Sequence, residues 1–107
     1  MLEIESGVLT QEIAERSVVS AGDYFNKTTG EQLERECKEK LAAGCRELVV
    51  DFSKTEIVNS VGVSILLGVI DSAQGTGTRV VLSGVNATTV ELFEMLGVTR
   101  HVTVNSE

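Results

Sequence analysis

A chain of 107 residues, 42% hydrophobic and 4% aromatic, is long enough for one domain whose core consists mainly of Val, Leu and Ile. Nine basic and 16 acidic residues give a formal net charge of −7, which is repelled by nucleic-acid phosphates and by anionic membrane surfaces. The composition therefore argues against nucleic-acid and membrane partners and favours a protein partner with a basic surface.

The N-terminal sequence and the two cysteines argue against export and against a metal site. Glu3 and Glu5 occur where a secretory signal carries basic residues. The apolar segment that begins at Ile57 is interrupted by polar residues and is too short to span a bilayer. Cys37 and Cys45 lack zinc-ligand spacing, and reduced thiols are typical of the cytosol. We therefore expect a cytoplasmic protein without a metal, another cofactor or a disulfide.

The first part of the chain predicts two strands followed by a helix. Both strands fall within Leu2–Ala21, the second is centred on Val18-Val19, and Gly22-Asp23 ends the run. Thr29-Gly-Glu-Gln32 has the spacing of a capping box, and Gly44 is a suitable C-terminal stop. The helix between them would place three apolar side chains on one face: Leu33, Cys37 and Leu41.

From Glu47 onward, strands and helices alternate. Strands are predicted at residues 47–52, 78–83 and 101–104, and the first two are apolar runs typical of strands buried on both faces. Helices are predicted from about Ser60 to Gln74 and from an Asn86 cap to Gly97. This alternation indicates an α/β fold with parallel strand pairing and right-handed crossovers.

Helical projection of residues 60–74 separates a buried side from an exposed side. The side expected to face the sheet carries Gly62, Leu66, Val69 and Ala73. The other side carries Ser60, Ser64, Gly68 and Asp71, with Leu67 beside this stripe and Val63 at its edge. A surface of this kind, polar at its top and partly apolar below, is typical of a binding surface. Asn59 or Ser60 also fits the common role of a helix cap.

The order and spacing of five segments resemble the STAS domain family, and within it the bacterial anti-sigma factor antagonists. Gly22–Asn26 resembles the segment before the family's first helix, and Leu48–Ser53 resembles its central strand. Val58–Gly62 lies where the family has Asp-Ser-(Ser/Thr)-Gly, and Thr78–Val85 with Glu91–Gly97 resembles the closing strand–helix unit. The resemblance implies a single STAS domain over residues 1–107, with a mixed central β-sheet, parallel βαβ units and helices mainly on one face.

The function that the resemblance implies is a partner switch that regulates transcription. In the family, an anti-sigma factor with a histidine-kinase-like ATPase fold phosphorylates the motif serine, which corresponds by position to Ser60. The unphosphorylated antagonist binds this serine kinase and frees a sigma factor, and a serine phosphatase resets the cycle. Together with the helical projection, the resemblance predicts these partner-binding residues: Asn59, Ser60, Val61, Val63, Ser64, Leu67, Asp23 and Asn26.

Two departures from the family motif leave a second function open. Asn59 replaces the usual Asp, and Val61 replaces the second hydroxyl residue. The alternative is a STAS module that is not phosphorylated and serves as a scaffold or subunit of a stressosome-type or lipid-transport complex. An enzyme is not predicted, because His101 has no evident catalytic partner in the sequence and Gly75–Thr78 lacks the Lys of a P-loop.

Overall fold

Strands and helices alternate through the computed structural model, which describes residues 16–106. The strands are β1 (Arg16–Ser20), β2 (Tyr24–Phe25), β3 (Glu47–Asp51), β4 (Ile57–Val58), β5 (Arg79–Val85) and β6 (Thr103–Ser106). The helices are α1 (Lys27–Ala42), α2 (Ser60–Gly75) and α3 (Ala87–Met95), and a short 3₁₀ turn lies at Val98–His101. The predicted α/β fold is confirmed.

The central sheet has the strand order β1-β3-β5-β6, and all of these pairs are parallel. One row of the register runs through Val19, Val50, Leu82 and Val104. The second predicted N-terminal strand is β1, whereas the first lies outside the described residues. A separate two-stranded parallel sheet joins β2 to β4. The predicted parallel βαβ units are therefore confirmed.

The described helices cover one face of the central sheet. Side chains alternate between the two faces of a strand, so Leu48 and Val50 point to one side and Val49 to the other. Leu48 and Val50 belong to the main hydrophobic core, whereas Val49 is buried outside that cluster. All of the helices contribute buried residues to the same core: Leu33, Cys37 and Leu41 from α1, Val63, Leu66, Val69, Ile70 and Ala73 from α2, and Phe93 from α3.

Three phenylalanine rings connect β2 to the rest of the core. Phe52 packs edge to face against Phe25 and against Phe93, with ring centroids 5.4 Å apart in both pairs. In edge-to-face packing the positive edge of one ring meets the negative face of the other, which favours this relative orientation of the rings. The short strand β2, which borders the site described below, is thereby held in place from beneath.

The start of α1 differs from the prediction. The helix begins at Lys27 and is capped by Asn26, whose side-chain oxygen accepts from the Thr29 backbone N–H at 3.1 Å. The Thr29 hydroxyl accepts in return from the Asn26 backbone N–H at 2.9 Å. Thr29 is thus the third helical residue of a capping box instead of the cap, and the cap is Asn26, a residue type equally suited to this position. The helix ends two residues before Gly44, as predicted.

The C-terminal part follows the prediction, except for its last strand. Asn86 caps α3, and its side-chain oxygen accepts from the Thr89 N–H at 2.8 Å. The final strand begins at Thr103 instead of His101, because the preceding residues form a 3₁₀ turn that buries Val98 in the core. Within residues 16–106, no helix is long and apolar enough to cross a membrane.

Cys37 and Cys45 are buried free thiols. Cys37 lies in the hydrophobic core, which confirms its predicted role as a small apolar residue. Burial raises the pKa of the Cys37 thiol to about 12, with a smaller contribution from the nearby charge of Glu36. Burial also raises the pKa of Cys45.

Candidate functional site

Backbone hydrogen bonds join the segment before α1 to the segment before α2. The N–H of Glu56 donates to the Asp23 carbonyl at 2.8 Å, and the N–H of Asn59 donates to the Phe25 carbonyl at 2.7 Å. The buried Thr55 hydroxyl donates to the Gly22 carbonyl at 2.6 Å. These bonds, together with the β2–β4 pairing, hold the N-termini of α1 and α2 side by side at one end of the domain.

Asn59, and not Ser60, caps α2. Its backbone is extended, and its side-chain oxygen accepts from the Val61 N–H at 2.7 Å. Ser60 is the first residue of the helix and is exposed to solvent. Among the hydrogen bonds of residues 16–106, none involves the Ser60 hydroxyl. The capping role is therefore filled by Asn59, and the Ser60 hydroxyl takes no part in the cap.

The exposed stripe of α2 matches the projection except at one position. Its buried side carries Gly62, Leu66, Val69 and Ala73, and its exposed side carries Ser60, Ser64, Leu67, Gly68 and Asp71, as predicted. The prediction that Val63 borders the exposed stripe is wrong, because this side chain is 1% exposed and packs in the core. Val63 lies three residues before Leu66 and shares its side of the helix. It is therefore not part of an accessible partner surface.

Gly62 allows α2 to approach β2 closely. A Cβ atom on Gly62 would lie 2.9 Å from the Phe25 carbonyl oxygen and 3.1 Å from a carbon of the Phe25 ring. The first turn of α2 therefore rests directly on β2, and Ser60 is presented from a rigid support.

Asp23 and Asn26 line an open groove of about 670 Å³ beside these helix starts. The other described residues that line it are Tyr24, Thr28, Thr29 and Glu56. Asp23 is exposed, whereas Asn26 is partly buried and its amide oxygen already caps α1. Asp23 is thus exposed in the groove wall, while the Asn26 amide oxygen is engaged in the cap of α1.

The structure adds three residues that the sequence analysis did not assign to the site. Tyr24 and Ile57 are each 53% exposed, and Glu56 is exposed on the groove wall. The exposure of Tyr24 could have been predicted from strand alternation within Gly22–Asn26, because an inward Phe25 requires an outward Tyr24. The position of Ile57 next to Tyr24 had no local signal, since it depends on the pairing of two distant segments.

The described residues show neither a metal cluster nor a new role for the histidine. No group of three or more His, Cys, Asp or Glu side chains within residues 16–106 is arranged to hold a metal ion. His101 is exposed at the end of the 3₁₀ turn. The arrangement thus offers a surface with an accessible hydroxyl, apolar side chains and acidic groups.

A family model of the STAS domain matches residues 9–107, and no curated protein sequence matches the chain. The phosphorylated form of the Bacillus cell fate determinant SpoIIAA superposes with a TM-score of 0.68 at 17% identity, covering 89% of this chain and 86% of that chain. TM1081 of Thermotoga maritima, solved as a candidate anti-sigma factor antagonist, gives a TM-score of 0.75 at 12% identity, with 89% and 81% covered. A sulfate transporter family protein of Wolinella succinogenes gives 0.74 at 11% identity, with 86% and 78% covered. Because these identities are low, the structural similarities establish the fold alone.

Proposed function

The chain belongs to the STAS domain family, and from this premise we propose that it is an anti-sigma factor antagonist switched by phosphorylation of Ser60. In its unphosphorylated form it binds an anti-sigma factor, a serine kinase of histidine-kinase-like ATPase fold, and a sigma factor is released. Phosphorylation of Ser60 ends this binding, and a serine phosphatase restores the active form.

The free hydroxyl of Ser60 is the observation that carries the proposal. It is exposed at the first position of α2, and the cap bond to the Val61 N–H comes from Asn59. A phosphate on Ser60 would add roughly 1.5 to 2 negative charges near neutral pH at the positive end of the helix dipole. Since the first turn of α2 contains no acidic residue, the fold is expected to tolerate this charge.

The same charge would oppose binding. Val61 and Leu67 are exposed apolar residues on the α2 side of the site, so a docked partner would exclude water near Ser60. A phosphate in that interface would lose its hydration, which opposes docking of the partner. A penalty of about 3–4 kcal/mol would lower the affinity a few hundredfold, which is enough to switch a complex.

Phosphate mapping tests the proposal. Each purified anti-sigma factor kinase of the source organism is incubated with the protein and Mg-ATP, and phosphorylated residues are identified by mass spectrometry. We expect phosphate on Ser60 in the wild type and in Ser64→Ala, a matched control one helical turn away, and none in Ser60→Ala. Ser60→Asp should bind the kinase much more weakly than the wild type. A phosphate elsewhere, or unchanged binding of Ser60→Asp, would refute the switch.

A second candidate function is a STAS module that is not phosphorylated and acts as a scaffold or subunit. Asn59 and Val61 depart from the family motif, and the Wolinella sulfate transporter family protein has the same fold. In that case the protein would remain in a stable complex that Ser60→Ala does not change and would never carry phosphate. Co-purification of the tagged wild type and of Ser60→Ala, followed by mass spectrometry, separates the two functions.

A further inference from the structure

Tyr24 and Ile57 form an apolar ridge on the strand side of Ser60. Tyr24 of β2 lies directly opposite Ile57 of β4 in the parallel register. Neighbouring strands are about 4.8 Å apart, so their outward side chains are adjacent. The next residue of each strand, Phe25 and Val58, packs towards the core instead. We call this pair of outward side chains the Tyr24–Ile57 ridge.

The core does not account for the ridge. Tyr24 and Ile57 are each 53% exposed, and neither is a member of the buried hydrophobic core. Val61, four residues after Ile57 and in the first turn of α2, is also 47% exposed. Single exposed apolar residues are common, but several at one end of a domain are typical of a binding surface.

The surroundings of the ridge indicate the charge of the partner. Tyr24 also borders the open groove, whose charged residues among those described are Asp23 and Glu56. Both acids are exposed, and their backbones are joined by the bond from the Glu56 N–H to the Asp23 carbonyl. A complementary surface would place an apolar pocket over the ridge and basic side chains over the groove.

We infer that the Tyr24–Ile57 ridge anchors the anti-sigma factor and that this partner contributes an apolar pocket flanked by Lys or Arg. The inference rests on the proposed function and adds a determinant of binding affinity that is separate from the phosphorylation of Ser60. A few large apolar anchors, Tyr prominent among them, supply most of the energy of a typical interface. The ridge therefore sets the affinity of the complex, while the phosphorylation state of Ser60 determines whether the complex forms.

Binding measurements on surface variants test the ridge. Affinities for each purified anti-sigma factor kinase are measured by calorimetry with a non-hydrolysable ATP analogue and Mg²⁺, so that Ser60 stays unmodified. We expect Tyr24→Ala and Ile57→Thr each to weaken binding roughly tenfold or more. Ile57→Thr keeps a β-branched side chain in β4, and Tyr24→Phe should bind nearly as well as the wild type. Glu56→Gln should weaken binding at low salt and reduce its salt dependence.

The control is an exposed apolar residue elsewhere on the surface. Met95, at the end of α3, is 81% exposed, and Met95→Ala should bind like the wild type. Thermal unfolding of every variant verifies that the fold is retained. If Tyr24→Ala and Ile57→Thr bind like the wild type while Ser60→Asp binds weakly, the ridge is refuted and the proposed function stands. If the wild type binds none of the kinases, both are refuted.

Discussion

Gly30 of α1 and Gly62 of α2 face each other where the two helices pack together. A Cβ atom on Gly30 would lie 3.4 Å from the Cα of Gly62 and 3.1 Å from the Ile65 side chain. Gly62 in turn lies against the Phe25 carbonyl. The first turn of α2 is thus enclosed between α1 and β2, and this contact fixes Ser60 relative to the groove.

Gly62→Ala should destabilise the fold by about 1–3 kcal/mol, because its Cβ would lie only 2.9 Å from the Phe25 carbonyl oxygen and the backbone would have to move. Urea unfolding measures this change. Gly68→Ala is the matched control in the same helix, since its Cβ would meet nothing within 4 Å. Its free energy of unfolding should rise by up to about 1 kcal/mol, because Ala has a higher helix propensity than Gly. Equal stabilities of the two variants would contradict the close contact.

Asn59→Ala should cost about 1 kcal/mol, because the Val61 N–H loses its acceptor. Asn59→Asp should be at least as stable as the wild type, since a carboxylate accepts the same bond and interacts favourably with the helix dipole. Chemical denaturation of the three proteins at neutral pH provides the comparison. A neutral effect of Asn59→Ala would contradict the assignment of Asn59 as the cap of α2.

Ser60→Asp should leave the unfolding free energy unchanged or raise it by about 0.3–1 kcal/mol, because a negative charge is favourable at a helix N-terminus. Gln74→Asp places the same charge in the last turn of α2 and should lower the stability by a similar amount. Thermal unfolding at low ionic strength gives both values. If Ser60→Asp were markedly destabilising, loss of kinase binding in this variant would reflect unfolding and not an interface effect.

Stability should fall as the pH rises above about 9. Burial raises the pKa of the Cys37 thiol from 9.0 to about 12, so between these values the unfolded chain loses a proton that the folded protein keeps. Deprotonation then favours unfolding increasingly as the pH rises through this window. Between pH 8 and pH 10, urea unfolding should show a smaller decrease in the free energy of unfolding for Cys37→Ala than for the wild type. The variant should nevertheless be less stable than the wild type at both pH values. Equal decreases would rule out Cys37 as the titrating group.

Local patterns were sufficient to predict most of the fold. Side chains alternate with a period of two in strands and recur with a period of about 3.6 in helices, and both periods can be read from neighbouring residues. The buried faces of α1 and α2 and the Asn86 cap were predicted in this way and confirmed. The start of α1 was misplaced because Asn26 and Thr29 are both good caps, and local sequence does not rank them.

The sequence by itself determined that Ser60 stands at the start of a helix after a buried strand, with a polar stripe below it. Only the tertiary structure decided that Asn59 is the cap, because the bond from its N–H to the Phe25 carbonyl holds it outside the helix. Only the packing of α1 and the sheet around α2 placed Val63 in the core, since a projection does not give the width of the buried arc. The adjacency of Tyr24 and Ile57 likewise arises from pairing between segments far apart in the chain, which no local periodicity encodes.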